Sequence, residues 1–119
     1  MNANTIPTRE EVAAARYNLS NNGCNRHSIT FTTTYEERNP DASHEEFVAA
    51  VKADSAEYIK RNRAVVQAYE SASPTQRAAA CGWRLKEVAP GVIRCRRDGI
   101  ELRLSWKSFL AAESAGDLV

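Results

Sequence analysis

At 119 residues, 43% of them hydrophobic and 26% charged, the chain has the size of one domain and enough apolar material for an ordinary core, which excludes a wholly disordered chain. No apolar run approaches the roughly 20 residues that span a bilayer, and "MNANTIPTREE" has neither the basic nor the apolar region of a secretory leader. The formal net charge of +1 conceals a gradient, because residues 1–59 hold five cations against nine acids and residues 60–107 hold eleven against four.

That asymmetry points to an acidic partner for the second half. Arginine makes up most of the cations, and its planar, weakly hydrated fork suits interfaces better than lysine does. The three cysteines, Cys24, Cys81 and Cys95, are an odd number and form no disulfide framework, so a reducing cytoplasmic setting is expected.

Thr8 and Glu11 make a capping box at the start of a helix over about residues 9–20. Val12, Ala13, Arg16 and Leu19 recur there at helical spacing, and "SNNG" ends it, with Gly23 or Asn22 as a left-handed cap. "HSITFTTTY", residues 27–35, reads as a strand. Ile29, Phe31, Thr33 and Tyr35 alternate with Ser28, Thr30, Thr32 and Thr34. Lying at a sheet edge, it would offer free amides and carbonyls to a partner strand.

Ser43 and Glu46 form a second capping box, before a long helix over about residues 44–72. Its stripe runs through Phe47, Val51, Ser55, Tyr58, Asn62, Val65 and Tyr69. Ser73, Pro74 and Gln76 start a short helix that stops at Gly82. Three strands follow, at 83–88, 92–97 and 100–105, joined by "APG" and by the hairpin dipeptide Asp98-Gly99. Ser105 caps a last helix that Gly116 ends.

The expectation is an α+β class in one small domain over residues 1–119, with element order α-β-α-α-β-β-β-α. A three- to four-stranded antiparallel sheet would pack against the long central helix. Residues 1–7 and 116–119 are expected to fray.

The stretch "GVIRCRRDGIELRLSW" carries the candidate site. With a period of two, Arg84, Lys86, Arg94, Arg96 and Arg103 leave one face of the meander. Trp83, Leu85, Ile93, Cys95, Leu102 and Leu104 leave the other. Trp106 and Lys107 flank the end of the sheet, and a partly exposed Trp there is a natural interface anchor. Such a patch attracts anions. It lacks the aromatic platforms usual in single-strand binders, and no helix-turn-helix, zinc-finger or RNA-recognition signature is present.

No catalytic chemistry is legible. Cys24 and His27 have the spacing C-x-x-H but lack the second close pair that a zinc site needs. No Gly-rich phosphate loop, G-x-S-x-G or H-E-x-x-H occurs. Neither a cofactor nor a metal is therefore expected. The reading is a non-enzymatic binding protein, an inhibitor or regulator in the style of phage or plasmid accessory proteins such as anti-defence factors. Its partner would be a larger protein or nucleoprotein complex with an acidic surface. A nucleic-acid binder using the same face is the alternative, and a small enzyme without a recognisable motif comes third. No membrane contact is expected.

Overall fold

The computed structural model describes residues 6–119. The expected α+β class is what it shows. Among the described residues the helices are α1 (Arg9–Leu19), α2 (Asn21–Arg38), α3 (His44–Glu70), α4 (Pro74–Ala80) and α5 (Trp106–Ala115). The strands are β1 (Arg84–Ala89), β2 (Val92–Arg97) and β3 (Ile100–Ser105). Two compact units divide the chain. One is Glu10–Gln67, and the other is Ala68–Val119 with the N-terminal residues through Arg9. No helix is long and apolar enough to cross a membrane among the described residues.

The first unit is helical. Its organising residue is Tyr58 of α3, which is buried. The Tyr58 hydroxyl donates to the Asn18 carbonyl at 2.9 Å, with the Gly23 carbonyl at 3.4 Å, so one side chain holds the α1–α2 junction against α3. The His27 ring stacks on Tyr58 with centroids 3.8 Å apart, and its Nε2 lies 2.6 Å from Asp54 Oδ2. Asn18 and Asn62 add a bond of 3.0 Å.

Two expectations fail in this unit. Residues 27–35 are helix, not strand. The threonines return their hydroxyls to the preceding turn, Thr30 to the Arg26 carbonyl and Thr34 to the Thr30 carbonyl, so the helix satisfies them locally. With no strand there, no sheet edge exists at the Thr segment. Gly23 likewise does not end α1. It lies in the first turn of α2, where the Ser20 side chain caps the helix by accepting from the Gly23 amide. Space, not a left-handed φ, selects glycine here. A Cβ at that position would sit 2.1 Å from the Tyr17 carbonyl oxygen.

The second unit holds the sheet, in order β1-β2-β3 with both pairs antiparallel. Asp98 (φ 52) and Gly99 (φ 80) both take the positive φ of a type I′ turn, which matches the twist of the hairpin. Ser73 forms the expected capping box with Gln76 at the start of α4. Ser105 caps α5, and Gly116 (φ 85) closes it in the left-handed region.

The sheet's apolar face packs into a core of Ala78, Trp83, Ile93, Cys95, Phe109 and Leu118. That cover comes from α4 and α5. Residues 116–119 were expected to fray. Instead Leu118 is buried in the core, and the Val119 carbonyl accepts from the Arg97 guanidinium at 2.9 Å. Leu118 burial, the Arg97 bond to Val119 and the Gly116 cap together offset the entropy of ordering this short tail. The expected fraying at the other end falls largely on residues 1–5, outside the described residues.

Candidate interface on the basic sheet face

The antiparallel register aligns the cations in rows. Arg84 stands opposite Arg96, which stands opposite Glu101. Lys86 stands opposite Arg94, which stands opposite Arg103. Residues opposed across a ladder share a face, with Cβ atoms about 4.5–5.5 Å apart, and successive rows are about 6.8 Å apart. All five cations of the predicted patch therefore leave one face. Arg84, Lys86, Arg96 and Arg103 are exposed, and Arg94, in the middle strand, is half-buried.

Glu101 is the acid within this face. It accepts from Arg96 Nε at 2.6 Å and pairs with Arg103 Nε at 3.5 Å. The hydrogen bond from Arg96 holds the Glu101 carboxyl below the ordinary glutamate range, helped by the fields of Arg96, Arg103 and Arg94. No carboxylate among the described residues pairs with Arg84, Lys86 or Arg94.

Arg97 shows why charge alone does not define the patch. It shares the parity of Ile93 and Cys95, so its stem passes over the core side of the sheet. Its guanidinium lies 4.5 Å from the Trp83 ring centroid and donates to the Cys81 carbonyl at 2.9 Å. Period-two reading at Arg97 separates this structural arginine from Arg94 and Arg96.

Trp106 begins α5 directly after β3. Its amide donates to the Gly91 carbonyl at 2.8 Å, and its ring stacks on Phe109 at 5.4 Å. It remains 44% exposed, so it both ties α5 to the sheet and presents an aromatic surface. Lys107 is exposed in the first turn of α5.

Beside Trp106 lies a cleft of about 470 Å³ that the sequence reading missed, lined by Thr75, Leu85, Lys86, Glu87, Ile93 and Trp106 among others. Its lining comes from three segments far apart in the chain, so no local pattern announces it. Lys86 stands at its rim and in the basic row at once, which joins a cationic surface to an apolar one.

Among the described residues, no cluster of three or more His, Cys, Asp or Glu side chains has the arrangement of a metal site. Cys24 Sγ instead contacts the Asn18 carbonyl at 3.4 Å. No family model, curated protein or solved structure matches the chain.

Proposed function

We propose that the protein is a non-enzymatic binding protein that occupies an acidic surface of a larger protein, through the face carrying Arg84, Lys86, Arg94, Arg96 and Arg103. The observation that supports this most is the like-charge alignment. Cations directly opposed across a ladder destabilise a sheet. An outer face kept only for solvation is served as well by threonine or by alternating signs. Departures from local consistency of this kind concentrate at functional sites.

An acidic protein suits the site better than a nucleic acid. The basic face offers no aromatic platform for bases. Its aromatic, Trp106, lies beside an apolar cleft, the arrangement of an interface hot spot.

The test is an anisotropy titration of labelled poly-glutamate and of single- and double-stranded oligonucleotides, at low and high salt. Wild type is compared with Lys86→Glu/Arg94→Glu. The expected result is binding of the acidic polypeptide that the double variant loses. Preferential binding of oligonucleotides, with log affinity falling linearly in log salt, would transfer the face to nucleic acid. Equal binding of the acidic polypeptide by both proteins would remove the face from the function.

A further inference from the structure

We propose that the outer edge of β1 takes an extended acidic segment of the partner as a fourth strand, with acidic and apolar residues alternating along it; this rests on the basic-face reading above. β1 pairs only with β2. Among the described residues, no element other than β2 reaches the backbone of residues 84–87 with a hydrogen bond. Leu85 is the half-buried residue of β1, and the others are exposed. The edge therefore presents unpaired amides and carbonyls, the template for strand addition.

The two sides of this edge differ in chemistry. Arg84 and Lys86 stand on the basic side. Leu85 faces the other way, into the cleft that Ile93 and Trp106 also line. A strand added to β1 must follow the same alternation, because cross-strand neighbours share a face. Its residues on the basic side meet two cations without ion pairs. The residues between them meet Leu85 and a cleft with an exposed indole, which Glu87 closes at the bulge end. The occupant is thus specified as an acidic–apolar alternating segment.

Length and choice of edge follow from the same register. The pairing shifts between Glu87 and Ala89, leaving Val88 as a bulge, so regular geometry extends over residues 84–87. The opposite edge, β3, carries Glu101 on its basic side, which disfavours an acidic strand. A second copy of this chain is disfavoured at β1, because its own Arg84 and Lys86 would meet the same cations.

The probes are two labelled peptides of one composition, Glu-Val-Glu-Val-Glu-Val and Glu-Glu-Glu-Val-Val-Val. The alternating peptide is expected to bind the full chain at least about tenfold more tightly. N-methylation of the amides along one edge of it should abolish that advantage, and methylation along the other edge should not. Leu85→Asp should also erase the advantage while leaving poly-glutamate binding in place. Equal affinities for the two peptides, insensitive to N-methylation, would overturn strand addition and leave the basic face as the contact. Failure of both peptides, with poly-glutamate bound equally by wild type and Lys86→Glu/Arg94→Glu, would overturn both readings.

Discussion

Arg84 stands directly opposite Arg96 across the β1–β2 ladder, and one row further along Lys86 stands opposite Arg94 in the same way. Two adjacent strands thus send like charges out of one face at the distance where cross-strand pairs interact most. Glu101 compensates Arg96 and reaches Arg103, while Arg84, Lys86 and Arg94 have no ion pair among the described residues. The sheet folds despite this alignment because its other face buries Ile93 and Cys95 against Phe109, and burial of that kind exceeds a surface repulsion several-fold.

Relieving the repulsion should therefore stabilise the fold and damage binding together. Lys86→Glu turns a like pair with Arg94 into an opposite pair without touching the core. The expected gain is a few tenths to about 1 kcal/mol at low salt, shrinking as salt rises. Urea unfolding at two salt concentrations measures it. A variant that is less stable than wild type at low salt would show that the row is not repulsive.

The Glu101 carboxyl should titrate below the ordinary glutamate range, chiefly because Arg96 donates to it. A depressed pKa in the folded chain contributes stability above the unfolded value, and that contribution is lost as pH falls through the folded one. Glu101→Gln should therefore flatten the acid limb of the stability profile, and Arg96→Ala should move the carboxyl back up. Urea unfolding from neutral to acid pH reads the first, and carboxyl-detected NMR over the same range reads the second. An unchanged Glu101 titration in Arg96→Ala would contradict the assigned cause.

The helical unit depends on the junction around Gly23. Gly23→Ala places a methyl 2.1 Å from the Tyr17 carbonyl oxygen, and the obstacle is backbone, so α1 and α2 must separate. The expected cost exceeds about 2 kcal/mol, in the range of overpacked sites. Tyr58→Phe removes only the donor to the Asn18 carbonyl and should cost about 1 kcal/mol. Thermal unfolding followed by circular dichroism ranks the two. A Gly23→Ala protein as stable as Tyr58→Phe would refute the close approach.

The ladder of rows was legible in the sequence, and α2 was not. At Asp98-Gly99 the dipeptide fixes both a turn type and a register, so Arg94 and Arg103 are forced opposite one another. Ser73-Pro74 and Ser105 likewise mark helix starts through bonds that are local in sequence. Residues 27–35 fit a period of two by the positions of Ile29, Phe31 and Tyr35, yet Ile29 is 67% exposed. The signal that prevailed is His27, Phe31 and Tyr35 at intervals of four. Phe31 and Tyr35 stack at 6.0 Å along α2, and Tyr35 meets Phe47 at 5.9 Å. Threonine's β-propensity is weak beside such tertiary contacts. The Trp106 cleft was hidden for another reason, since Thr75, Leu85 and Trp106 converge only in the fold.

The cysteines should separate by reactivity. Cys95 is 0% exposed, and burial pushes its thiol up, away from the reactive thiolate. Cys24 and Cys81 are half-buried. A thiol reagent at neutral pH should modify Cys24 and Cys81 in the native protein and Cys95 only on unfolding. Mass spectrometry locates the modified sites. Modification of Cys95 ahead of the other two would contradict its place in the core.

Amide chemical-shift mapping of the isotope-labelled protein during titration with poly-glutamate tests the basic-face contact most directly. Progressive shifts are expected at Arg84–Glu87, at Arg94 and Arg103, and at the Trp106 indole, all absent in Lys86→Glu/Arg94→Glu. Shifts confined to α1, α2 and α3, or an undisturbed basic face at saturation, would contradict that contact.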